Sequence, residues 1–183
     1  QSLKELKQWL LDRSELETAL DQVGSVLYIK MTCQTDDKEK ALSYTHFIEH
    51  VVPVIKPLDD ELNRIYLKKV KELKFKDKTF SLYTKTIQTD AALFVKENVP
   101  LQTKVDLLSQ EYQTISGAMT VYFEGKERTL PEMSKYLLEP DRVLREKAWR
   151  ATSERRLEDK DKLEGIFDKM LRLRNSVAKN AGF

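Results

Sequence analysis

Five glycines and five prolines are all that punctuate 183 residues, so most of the chain has no low-energy place to turn and long helices are the natural outcome. Apolar spacing supports this. The first helix is expected from about Leu3, and Ser14-Glu15-Leu16-Glu17 has the form of a capping box that would restart it. Asp36 followed by Glu39 is a second start signal. Tyr44, Ile48, Val51, Ile55, Leu58, Leu62 and Ile65 then recur at alternating spacings of four and three, which puts them on one helical stripe. Pro53 and Pro57 interrupt that stripe, and a kink or break is expected there. A further helix fits Phe80, Tyr83, Ile87, Ala91 and Phe94, and another fits Leu101, Val105, Leu108, Tyr112, Ile115 and Met119. Short stripes separated by turns suit a packed bundle better than a coiled coil.

One element departs from the helical period. Thr120-Val121-Tyr122-Phe123 and Lys126-Glu127-Arg128-Thr129 flank Glu124-Gly125, the pattern of a β-hairpin with a two-residue turn. A lone hairpin is marginal in water, so it should pack on helices or on another part of the protein. Thr129, Pro131 and Glu132 begin a short helix. Pro140 opens the last long one, which carries Val143, Leu144, Ala148, Leu163, Ile166, Phe167, Met170 and Val177 and ends at Gly182. The expected fold class is all-α: a multi-helix bundle of long helices (1–117 and 131–183) with one small β-hairpin (118–130). No internal repeat and no low-complexity linker divides it.

Composition narrows the function classes. Hydrophobic residues make up 40% and charged residues 34%, which argues for a packed core and against disorder. No apolar run approaches the ~20 residues of a membrane span, so no membrane partner is expected. The start of the chain, Gln1 to Leu20, is charged and amphipathic, unlike a secretory signal. A net charge of +2 is too even for a nucleic-acid binder recognisable by charge. Cys33 is the single cysteine; it excludes an internal disulfide, suits a reducing, cytoplasmic setting, and in its apolar stretch reads as a buried, inert thiol. The chain does not begin with Met and reads as processed, or as a piece of something longer.

His46-Phe47-Ile48-Glu49-His50 matches H-x-x-E-H, the inverted zinc-peptidase motif, and holds both histidines of the chain. Helical register argues against zinc. If Ile48 and Val51 face the core, His46, Glu49 and His50 face solvent, where neither a third protein ligand nor a sheltered position is marked out. Arg142, Arg145, Arg150, Arg155 and Arg156 are interleaved with Asp141, Glu146, Glu154, Glu158 and Asp159, a mutually paired solvated face rather than an anion or peptide-carboxylate site. Trp149, beside Ala148, reads as core rather than a ligand stack. No phosphate loop, G-x-S-x-G elbow or cysteine cluster is present. No catalytic, cofactor-binding or metal residue is assigned.

Several blocks resemble the oligoendopeptidase F branch of the thimet-oligopeptidase family of zinc metallopeptidases. They are Trp9-Leu10-Leu11-Asp12-Arg13-Ser14-Glu15-Leu16, Tyr28-Ile29-Lys30-Met31-Thr32-Cys33 and Pro100-Leu101-Gln102-Thr103. Ser109-Gln110-Glu111-Tyr112-Gln113 and Gly117-Ala118-Met119-Thr120-Val121 follow. The last are the run from Pro140 to Arg150 and Asn180-Ala181-Gly182-Phe183. The resemblance implies a helical, cytoplasmic enzyme that encloses short peptides in a deep channel, with zinc held by H-E-x-x-H and a further Glu. That motif is absent here, and the string at His46 has inverted order in the wrong region. The chain is therefore expected to be a single N-terminal region (1–183), a structural wall of the channel. Zinc is expected only in the intact enzyme. The expected partners are the C-terminal catalytic domain of the same protein and short peptide substrates. The rivals are a helical protein-binding module without a peptidase role and an independent inverted-motif zinc enzyme.

Overall fold

The computed structural model describes residues 2–183. Helix α1 (Leu3–Cys33) runs unbroken: Ser2 caps it, accepting from the Glu5 amide at 3.2 Å while the Glu5 carboxylate accepts from the Ser2 amide at 2.6 Å. The capping box therefore lies at Ser2, and Ser14, expected to restart the helix, sits in its interior with the helical hydrogen bonds already made. Helix α2 (Lys38–His46) starts at Asp37, whose carboxylate accepts from the amides of Glu39 and Lys40, one residue past the expected signal.

A single π-helical turn, Phe47–Val51, joins α2 to α3 (Val52–Glu72). It lies just before Pro53, where an irregularity is expected, whereas Pro57 sits inside α3 without the expected break. Pro53 and Pro57 have no amide to return to the preceding turn, and the Val52 amide reaches back five residues to the Phe47 carbonyl. The π-turn also corrects the expected stripe. It inserts one residue, and each residue turns a helix by about 100°. Beyond it the buried positions fall one later than the four-three spacing predicts: Asn63 and Tyr66 are 4% and 0% exposed, while Leu58 and Ile65 are half exposed.

Helices α4 (Ser81–Leu93) and α5 (Val99–Gly117) follow, each entered through a 3-10 turn. Strands β1 (Thr120–Phe123) and β2 (Lys126–Thr129) pair antiparallel, Thr120 opposite Thr129 and Phe123 opposite Lys126. Glu124 and Gly125 have φ of 50° and 78°, the positive values at both central positions that a type I′ turn requires. Thr129 and Glu132 form a reciprocal capping box on the short α6 (Leu130–Met133). The last segment is two helices rather than one. Asp141, not Pro140, caps α7 (Arg142–Glu158), and Asp159 leaves helical geometry before α8 (Lys160–Asn180), its carboxylate accepting from Arg155 and Lys162 at 2.8 Å.

Two apolar clusters hold this arrangement. One joins α1, α3 and α4 through Leu6, Leu10, Tyr66, Phe75 and Ile87, where the Tyr66 hydroxyl lies 2.7 Å from that of Thr84. The other seats the hairpin, as expected, on α6 and α7 through Phe123, Met133 and Ala148. Between them buried polar side chains fix the helix pairs. Gln110 donates to the Ala41 carbonyl at 3.1 Å and accepts from Thr45 at 3.0 Å, tying α2 to α5. Asn98 donates to the Val177 carbonyl at 3.0 Å and accepts from Asn180 at 2.8 Å, tying the start of α5 to the end of α8.

Candidate functional site

The residues singled out by motif do not converge. His46, Glu49 and His50 are exposed on the outer side of the α2–π segment, opposite buried Ile48, and the two imidazoles lie 4.7 Å apart. Among the described residues no three His, Cys, Asp or Glu side chains gather as a metal would need. Of the five arginines expected to form a paired face, two do among the described residues: Arg150 meets Glu146 at 2.8 Å, and Arg155 meets Asp159 at 2.8 Å and Glu158 at 3.4 Å. Arg145 instead donates to the carbonyls of Glu139 and Pro140, closing the turn before α7. Two expectations fail here. Cys33, the last residue of α1, is exposed, and Trp149 is 58% exposed because the face of α7 that packs on the hairpin cluster carries Leu144, Ala148 and Ala151 instead.

A concavity lies elsewhere, a groove of about 790 Å³ between α1, the α2–π segment, α3 and α5. A Cβ on Gly24 would lie 3.0 Å from the Phe47 ring, so glycine lets that ring pack against α1. Leu20, Phe47, Ile48, Val52 and Ile55 supply apolar surface. Tyr28 and Tyr44 meet edge to face at 5.6 Å, and Gln113 donates to the Tyr28 hydroxyl at 2.8 Å.

Charge lines the edges. Arg13, 6% exposed, bridges α1 and α3 by donating to Glu17 at 2.6 Å and to Asp59, so two carboxylates of the groove share one buried guanidinium. Lys56 donates to Gln102 at 3.0 Å and stands 3.9 Å from Asp106. Burial holds the Asp106 carboxyl above the usual carboxylate range, with Lys56 pulling the other way. Burial likewise raises the Tyr44 phenol, aided by the charge of Asp106 and by Tyr28. A groove of this size and lining can hold apolar side chains and orient them with a few polar groups. No side chain in it is paired as a nucleophile with its base. Sequence inspection missed it because its walls come from four segments, none carrying a local signature; the one available hint was a glycine inside a long helix.

Fold and groove together define an all-α scaffold with one β-hairpin and an apolar groove edged by charge. The same architecture occurs within solved peptidases. The chain superposes over its whole length on a 3.1 Å structure of a protein described as an oligoendopeptidase F, with a TM-score of 0.86 and 22% identity. It also superposes over its whole length on PZ peptidase A with an inhibitor (0.84, 22%) and on a protein of Bacillus anthracis strain Ames described as an oligoendopeptidase F (0.85, 22%). At this identity the likeness establishes the fold. The chain spans 32–34% of the length of those solved chains. No family sequence model matches it, and no curated protein matches it in sequence.

Proposed function

We propose that this chain is the N-terminal, non-catalytic part of a cytoplasmic zinc oligoendopeptidase that hydrolyses short peptides, and that it forms one wall of the substrate channel. The observation that carries this reading is the full-length superposition on about a third of three solved peptidase chains. The sequence blocks that resemble oligoendopeptidase F, spread from Trp9 to Phe183, support it independently. In this reading the groove beside α1 contacts peptide side chains and the Arg13 bridge holds its edges in place. Zinc belongs to the remainder of the enzyme, where it would activate water for attack on the peptide bond. The contribution of this chain is positional, because turnover depends on holding the scissile bond within fractions of an ångström of the attacking group.

The test compares this segment, the remainder of the parent protein and the intact protein on one quenched fluorescent peptide. This segment alone should cleave nothing, the intact protein should be active, and the remainder alone should lose turnover of short peptides and admit larger substrates. Zinc-dependent cleavage by this segment would defeat the assignment. Full activity and unchanged size selectivity in the remainder alone would favour an independent protein-binding module.

A further inference from the structure

A second groove, of about 490 Å³, runs between α5 and α8 on another part of the surface. Its α5 side is Lys104, Leu107, Leu108 and Glu111, spaced three, four and seven along one helical face. Its α8 side is Lys169, Arg172 and Leu173. The leucines, half-buried, make an apolar floor, and the exposed lysines and arginine stand on both edges. Among the described residues, no side chain of Lys104, Lys169, Arg172 or Glu111 has a hydrogen-bond or ion-pair partner. Three unpaired cations against one carboxylate leave this rim positive on a chain whose net charge is only +2.

We propose that this groove seats an amphipathic helix whose apolar side chains lie on the leucine floor and whose Asp or Glu residues meet Lys104, Lys169 and Arg172. The inference rests on the peptidase reading, and it commits to the remainder of the same peptidase as the source of that helix. Three observations select this occupant. The groove lies between two packed helices and extends along a face about 10 Å long at 1.5 Å per residue, the shape that receives a third helix. Its cations are distributed over two helices rather than converging on one point, which suits several carboxylates along a segment better than a single small anion. Its walls are also pinned, because buried Asn98 ties the start of α5 to the end of α8, so docking has little ordering to supply.

The experiment uses the intact protein and two chemical probes. Brief acetylation reports exposure of lysines, and a zero-length carbodiimide joins lysines to carboxylates in direct contact. Lys104 and Lys169 should acetylate about tenfold more slowly than exposed Lys4, the ratio that about 1.4 kcal/mol of protection gives. They should cross-link, within one molecule, to Asp or Glu of a segment outside residues 1–183. Arg172→Glu, a surface charge reversal away from both apolar clusters, should lower the cross-link yield and speed acetylation of both lysines. Acetylation of both lysines at the Lys4 rate, or cross-links confined to residues 1–183, would overturn the proposal. Cross-links found only at twice the molecular mass would overturn it in favour of a second copy. A docked acidic segment in a protein that hydrolyses no peptide would defeat the peptidase reading alone, whereas an active peptidase with both lysines free would defeat the docking alone.

Discussion

Arg13 offers the sharpest test of what holds α1 against α3 at the edge of the larger groove. Its guanidinium is 6% exposed, its Nη1 is buried without a partner, and it lies 5.9 Å over the Trp9 ring. Its carboxylate partners, Glu17 and Asp59, remain 43% and 46% exposed. The charge left behind by removing Arg13 would therefore be solvated, not stranded. Replacing Arg13 by Met forfeits two ion pairs to half-exposed acids, roughly 0.5–1 kcal/mol each after solvent screening, and a cation–π contact of about 0.5–1 kcal/mol. It also relieves the desolvation of a buried cation, its unpaired Nη1 included, a few kcal/mol that roughly offset those losses. Methionine keeps most of the apolar stem and can lie on Trp9. Arg13→Met should consequently stay within about 1 kcal/mol of the wild type, whereas Arg13→Ala, which also opens a cavity, should cost about 2–4 kcal/mol. Urea unfolding followed by far-ultraviolet circular dichroism measures both. A loss for the methionine variant as large as that for alanine would refute the argument and show that the ion pairs themselves carry the stability.

Two further outcomes follow from the site residues. His46 and His50 should hold no stoichiometric zinc, because they stand exposed on a helix surface and no third ligand gathers with them among the described residues; metal analysis of chelator-free protein, with His46→Ala as control, checks this, and zinc lost on that substitution would revive the inverted-motif enzyme. Burial raises the Asp106 carboxyl in the folded state, so the folded chain holds the proton more tightly, and stability falls as pH rises from the ordinary carboxylate value through the raised one. Asp106→Asn should remove that fall and stabilise the protein at neutral pH while changing little at acid pH; equal effects at both ends of a urea–pH series would refute it.

Where local chemistry decides structure, the sequence was sufficient by itself. The hairpin is legible because a two-residue turn with glycine at its second position permits little else, and Thr129-x-x-Glu132 caps α6 from side chains three residues apart. The all-α class follows from scarce turn residues and apolar periodicity. Tertiary structure decided what depends on phase and on distant partners. A π-turn that inserts one residue exchanged Leu62 and Ile65 for Asn63 and Tyr66 at the buried positions, a shift that apolar spacing cannot register because only the hydrogen-bond ladder changes. Cys33 and Trp149 lie outside because burial depends on what packs opposite, not on neighbours in sequence. The two grooves are likewise products of assembly. One needs Gly24 to admit Phe47 between α1 and the π-turn, and the other needs Asn98 to hold α5 beside α8, pairings that join residues far apart in the chain and become visible only when the helices are in place.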